Sequence, residues 1–154
     1  MSETVFDLIL AKKIPSWVVW QDDNFVAFLT PFPNTPGLTV VIPRTNQGDY
    51  IFNLSDDKVK DLILASKKVA KIMERAFSVT RVAMVVEGTG VPYVHVKLYP
   101  LHGDLGAKTD IASSHKEFYP VYVGFLSTAE GPKMSDEELT KIQKQIITAA
   151  EYES

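Results

Sequence analysis

Cysteine is absent from the 154 residues. That excludes disulfides, thiolate metal sites and cysteine nucleophiles together, and it fits a reducing compartment such as the cytoplasm. Histidine is scarce. His95, His102 and His115 are the only three, and they lack ligand spacing, so no metal site is expected. No long apolar run exists: stretches such as Phe25 to Leu29 are far too short to cross a bilayer, which argues against a membrane partner. The amino terminus carries Glu3 and Asp7 where a signal peptide would have basic residues and a long apolar core. A net charge of -3 excludes a global basic surface for nucleic acid while leaving room for a small cationic pocket. Repeats, low-complexity segments and Gly/Ser linkers are also missing. What remains is ordinary globular composition, 45% apolar and 23% charged. A single domain of this size buries roughly 70% of its unfolded surface.

Periodicity then organises the chain. Val5, Phe6, Ile9 and Leu10 lie at helical spacing within Ser2 to Lys13, and Pro15 ends that segment. Trp17 to Trp20 and Phe25 to Leu29, separated by Gln21-Asp22-Asp23-Asn24, read as a hairpin. Pro31 to Gly37 is a loop, and the β-branched run Leu38 to Ile42 is a strand closed by Pro43. The clearest helix starts at Ser55 as N-cap, with Asp56 and Asp57 in its first turn. Its apolar face is Val59, Leu62, Ile63, Val69, Ala70 and Met73. Arg81 to Glu87 reads as a strand, Gly88-Thr89-Gly90 as a turn, and Tyr93 to Tyr99 as another strand ended by Pro100. After a less regular region, Ser135 and Glu138 form a capping box that opens a final helix to about Ala150. This order predicts an α+β fold with a mainly antiparallel sheet.

The strand from Tyr93 carries the candidate chemistry. Side chains two apart share a face and lie about 6.6 Å apart. Val94, Val96 and Leu98 make one apolar face, expected toward the core. Tyr93, His95, Lys97 and Tyr99 make the other, which suits an anion: Lys97 supplies charge, His95 a nitrogen nucleophile or donor, and Tyr93 a hydroxyl. The lysine ammonium would keep the His95 imidazole neutral. Alternation by itself favours a plainer reading, an ordinary half-exposed strand with polar residues outward.

The surrounding sequence resembles the histidine-triad (HIT) superfamily. Gly90-Val91-Pro92-Tyr93-Val94-His95-Val96-Lys97-Leu98-Tyr99-Pro100 is similar to its signature strand, in which three histidines alternate with apolar residues after a glycine turn. Phe6 to Pro15 resembles the family's opening helix, and Gln21-Asp22-Asp23 with Val26 to Leu29 its first hairpin. Pro33 to Gly37 with Val40 to Arg44 and then Leu54-Ser55-Asp56 follow in family order, so the likeness covers roughly residues 3 to 101. It implies a HIT-like core over 1–101, with about five strands, one long helix and a short first helix. Residues 102–154 would be a C-terminal helical extension packed on the same single domain.

The resemblance also implies an activity: the middle histidine, here His95, attacks the α-phosphate of a nucleotide and forms a nucleotidyl-histidine. Substrates would be nucleoside phosphoramidates or dinucleoside polyphosphates, in a homodimer, with no cofactor. Substrate contacts would come from Tyr93, Lys97, Thr30 and the Gly88, Thr89 and Gly90 backbone. Phe6, Ile9 and Phe28, with Val5, match the apolar base pocket, and the same residues equally suit plain core packing. The first and third triad histidines are replaced by Tyr93 and Lys97, the ribose-binding acid by Thr30, and further polar contacts by Leu38, Asn46 and Val86. His102 stands just past the strand, as a possible proton donor or as a surface loop residue; His115 has only a polar loop around it. The aromatic run Phe118 to Phe125 suits a cover over the site, a sheet edge or a subunit contact. Three functions follow: an enzyme working through His95, a weakly active or inactive nucleotide-binding module, and a dimeric partner-binding protein with a relic site.

Overall fold

The computed structural model describes residues 2–103, 117–121, 133, 135–140 and 147. The chain divides into two units, residues 1–105 and 106–154. The first unit holds α1 (Val5–Leu10), β1 (Trp17–Gln21), β2 (Phe25–Leu29), β3 (Thr39–Pro43), α2 (Asp56–Phe77), β4 (Val82–Glu87) and β5 (His95–Pro100). Its five strands run in the order β1-β2-β3-β5-β4, every neighbour antiparallel. The expected α+β architecture is therefore present: five antiparallel strands, one long helix and one short one.

Both faces of this sheet are covered, which explains why β2 and β3 read as solid apolar runs. Side chains alternate between faces along a strand. Phe25, Ala27, Val41, Val96 and Leu98 therefore pack with Leu62, Ala65, Val69 and Met73 of α2. The intervening residues Val26, Phe28, Val40 and Ile42 pack with Phe6 of α1 and with Tyr93. His95 and Lys97 alternate with Val96 and Leu98, so they lie on the α1 face. Every apolar residue expected inward from β5 is fully buried.

Local chemistry sets the element ends. α1 spans Val5–Leu10 rather than Ser2 to Lys13. Thr4 is its N-cap in a capping box, where Asp7 N donates to Thr4 Oγ1 and Thr4 N donates to Asp7 Oδ2. Lys12, at φ 56°, turns the chain out of the helix before Pro15 is reached. Thr4 N and Thr4 Oγ1 both donate to Asp7 Oδ2, and these two bonds hold the Asp7 carboxyl below its ordinary value. In the β1–β2 turn, Asp22 Oδ1 accepts from the Asn24 and Phe25 amides. Ser55 precedes α2 as expected, yet its side chain makes no capping bond; only its carbonyl is engaged, by Val59 N. β5 starts at His95, two residues later than the sequence suggests, because 88–94 is a loop whose Val94 N donates to Gly48 O.

In the second unit, Asp136 to Thr140 is helical. It is capped as the Ser135/Glu138 pattern predicts, with Glu138 N donating to Ser135 Oγ and Ser135 Oγ to Glu138 Oε2. Ile147 is also helical; the other residues expected in that helix, the aromatic run beyond Val121, and His115 lie outside the described residues. No helix among the described residues is long and apolar enough to cross a membrane.

The loop before β5 depends on one glycine. A Cβ on Gly88 would stand 1.6 Å from the Asp49 carbonyl oxygen, whereas one on Gly90 would meet nothing within 4 Å. Gly88→Ala should therefore cost about 1–3 kcal/mol, read as a lower urea midpoint, while Gly90→Ala leaves the midpoint nearly unchanged.

Candidate functional site

The site is built where β4 and β5 pair beneath α1. Glu87 and His95 are direct cross-strand partners, and Lys97 lies two pairs further along, opposite Val85. Directly opposed residues point to the same face, and a diagonal neighbour is within reach of a long side chain. Glu87, His95 and Lys97 accordingly converge. Lys97 Nζ donates to Glu87 Oε2 at 2.5 Å, and the same oxygen stands 3.9 Å from His95 Nε2.

The imidazole is held from behind. His95 is only 3% exposed, which removes the reading of β5 as an ordinary strand with polar residues turned to water. Its Nδ1 lies 2.8 Å from the Tyr93 carbonyl oxygen. A carbonyl only accepts, so Nδ1 carries the proton and Nε2 keeps its lone pair. The Phe6 ring meets the imidazole edge-on, centroids 5.1 Å apart. Burial holds the imidazole below its ordinary value of 6.5; the bond to Tyr93 opposes this, the Lys97 charge adds to it, and the Glu87 charge opposes it. Neutrality was expected from Lys97 alone, but desolvation is the larger cause.

In front of the ring lies a cavity of about 350 Å³. Val5, Phe6 and Ile9 of α1, Phe28 of β2 and Val40 of β3 give it apolar walls, with Trp17, Pro31 and Phe32 also lining it. Phe32 is 89% exposed and Trp17 56%, so both stand at the rim. Thr30, Gly90, Glu87, His95 and Lys97 supply the polar lining. Thr30 Oγ1 accepts from Phe32 N, which leaves its proton for a ligand. A wider groove of about 740 Å³ runs along α2 beside Lys67, Lys68, Lys71 and Arg75, and no histidine lines it.

Several sequence-predicted site residues stand elsewhere. Tyr93 is fully buried outside β5, and its hydroxyl donates to Pro43 O at 2.5 Å. Burial pushes that phenol up, helped by the Asp7 charge. What Tyr93 gives the site is its carbonyl, not its hydroxyl. Gly88 backs onto Asp49, and neither it nor Thr89 lines the cavity. His102 is turned to other work: Nε2 donates to Pro36 O at 2.8 Å and the ring packs edge-on against Phe77. Sequence reasoning missed Glu87, treating it as a strand end. The signal was available in the hairpin itself, since Glu87 and His95 flank the 88–94 loop symmetrically. No group of three histidine, aspartate or glutamate side chains among the described residues could hold a metal.

A HIT domain model matches residues 11–102. The chain belongs to the HIT family. Members are generally nucleotide-binding hydrolases and transferases. A HIT-like protein of Saccharolobus solfataricus is 33% identical over 72 residues, 47% of this chain and 51% of that protein. The chain thus spans about half the length of that relative. The adenylylsulfatase HINT1 of Arabidopsis thaliana is 28% identical over 103 residues, covering 63% of this chain and 70% of that one. A crystal structure of a HIT family member from Bacillus subtilis superposes with a TM-score of 0.63 over 96% of both chains at 22% identity. At that identity it speaks for the fold.

Two outcomes test this geometry. Tyr93→Phe keeps the carbonyl behind His95 but strands the buried Pro43 oxygen, so it should cost about 1–3 kcal/mol of stability in a urea melt. The imidazole resonances, by contrast, should keep the Nδ1–H form. The second outcome concerns pH. His95 should titrate below 6.5 by NMR. The unfolded chain binds that proton more readily, so its contribution to stability is present above pH 6.5 and lost as pH falls below it. Lys97→Met, which removes a repelling cation and leaves Glu87, should move the His95 midpoint upward.

Proposed function

We propose that this HIT protein is a nucleotidyl hydrolase or transferase working through a covalent nucleotidyl-histidine on His95 Nε2. One observation carries the reading: an imidazole fixed in its Nδ1–H form, with its other nitrogen facing a cavity that has an apolar wall and a cationic side chain. Nε2 makes no hydrogen bond among the described residues; the Glu87 carboxylate at 3.9 Å is beyond hydrogen-bond range. A neutral imidazole is a competent nucleophile toward phosphorus and a competent leaving group afterward.

In this reading the walls from Phe6, Ile9 and Phe28 take the base, and the Thr30 hydroxyl donates toward the ribose. Lys97 and the backbone at Gly90 take the phosphoryl oxygens, whose charge grows as the leaving group departs. An adenylylsulfatase among the relatives supports an adenylyl substrate, with phosphoramidates and dinucleoside polyphosphates as the classes to try. The setting we propose is cytoplasmic and homodimeric, a second copy adding at β1 or β4, the outer strands of the sheet among the described residues.

A second reading has its own observation. Lys97 is already paired with Glu87, so the charge offered to a phosphate is partly compensated, which favours a binding module with slow turnover. Calorimetry separates the two, because a module binds nucleotide and releases it unchanged.

The decisive assay incubates the full chain with adenosine 5′-phosphoramidate, diadenosine tetraphosphate and AMP. The enzyme reading expects consumption of one or both of the first two, falling by at least about 10³-fold in His95→Ala. Equal turnover by both proteins removes His95 from the chemistry.

A further inference from the structure

Glu87 is the one charged group at this cavity for which the family resemblance supplies no role. We propose that Glu87 is the general base for hydrolysis of the nucleotidyl-histidine, a role that rests on the covalent reading of His95 above.

The argument begins with which groups can accept a proton. Of the three ionisable side chains lining the cavity, lysine offers donors and no acceptor. His95 Nε2 is bonded to phosphorus once the intermediate has formed, and His95 Nδ1 is spent on the Tyr93 carbonyl. The Tyr93 hydroxyl is spent on Pro43, and His102, held by Pro36 and Phe77, does not line the cavity. Glu87 is the remaining ionisable acceptor lining the cavity among the described residues.

Geometry agrees. Glu87 Oε2 stands 3.9 Å from Nε2. That is too long for a direct hydrogen bond, and it leaves the carboxylate beside the space that a phosphorus bonded to Nε2 and a water attacking it would occupy. The carboxylate comes from the residue directly opposite His95 across a strand pair, so it is as fixed as the imidazole. Lys97 Nζ holds the same oxygen and keeps it aimed into the cavity. Glu87 also keeps a quarter-exposed side chain, 23%, through which a proton can pass to solvent.

The step balances. A water oxygen attacks phosphorus while Glu87 Oε2 takes one of its protons. The new P–O bond forms as the P–Nε2 bond breaks, and the electron pair returns to Nε2. Neutral His95 still carries its Nδ1 proton, the nucleoside monophosphate departs, and Glu87 releases the proton to solvent.

The test is rapid mixing of the full chain with adenosine 5′-phosphoramidate, followed by intact-mass measurement at neutral pH alongside steady-state turnover. Wild type should show turnover with little adduct. In Glu87→Gln, which cannot accept a proton, the first turnover should keep its rate and one adenylyl group per chain should accumulate on His95. Steady-state turnover should then fall on the order of 10²–10⁴-fold. Glu87→Asp, a shorter carboxylate, should give intermediate accumulation, and it serves as the readout if the glutamine variant does not fold. A Glu87→Gln protein whose first turnover and steady state fall together, with no adduct, overturns the proposal and leaves Glu87 as a holder of Lys97. Wild type with neither turnover nor adduct overturns the His95 reading itself, and Glu87 with it.

Discussion

Tyr93 joins two hydrogen bonds that the site cannot do without. Its phenol donates to Pro43 O at the end of β3, and its carbonyl accepts from His95 Nδ1 at the start of β5. The first bond pins a loop residue to a central strand. The second passes that fixity to the imidazole and settles which nitrogen is bare. A buried donor and a buried acceptor satisfy each other in the first case, so separating them would leave both unpaired at the cost of a lost hydrogen bond or more. The resemblance to the triad strand looks broken at position 93, yet orienting His95 asks only for a carbonyl there. Any residue supplies one, and the tyrosine side chain is free to serve the fold.

The same economy appears in α1. Six residues make a short helix, marginal alone, held by the Thr4–Asp7 box at its start and by Phe6 on its inner side. Phe6 touches Phe28, Tyr93 and His95 edge-on. It is core by burial and wall by position. The choice between pocket lining and plain packing for Phe6 and Phe28 is a false one: the cavity is the part of the α1-side core that α1 is too short to fill. α2, at 22 residues, covers the other face, where Val96 and Leu98 of β5 are fully buried.

Much of this was legible in sequence because it follows from period and spacing. The hairpin at Asp22 and the strand from Leu38 follow from short apolar or β-branched runs between turn residues, and the α2 face at Leu62, Val69 and Met73 and the inward side of β5 from helical repeat and alternation. What periodicity cannot carry is where a side chain spends its polar atoms. The sequence offers Tyr93 as a ligand hydroxyl, His102 as a proton donor or a surface loop residue, and Gly88 as a phosphate cradle. Each is instead engaged by a residue distant in sequence: Pro43, Pro36 and Asp49. Glu87 was missed for the converse reason. Its importance comes from a strand register, and register is set by the 88–94 loop and its anchor to Gly48, which no pattern within one strand reveals. The α1 ends were misjudged because Thr4 and Asp7 act through a cap, whereas the apolar spacing runs past them.

Replacing a histidine by Lys97 changes more than the shape of the phosphate contact. An imidazole both gives and takes a proton near neutrality, whereas an ammonium brings charge and donors alone. A site that exchanged one for the other without compensation would bind phosphate and lose a proton acceptor. It would also set a bare cation beside a desolvated imidazole that burial already holds neutral. Glu87 answers both needs from one position: it balances the Lys97 charge at the cavity wall and, in the role proposed above, restores an acceptor 3.9 Å from Nε2. The pair costs some attraction for anions, since a phosphate must share Lys97 with a carboxylate. In the proposed reading, apolar contact along Phe6, Ile9 and Phe28 offsets that loss, and affinity rests on the body of the ligand more than on its charge.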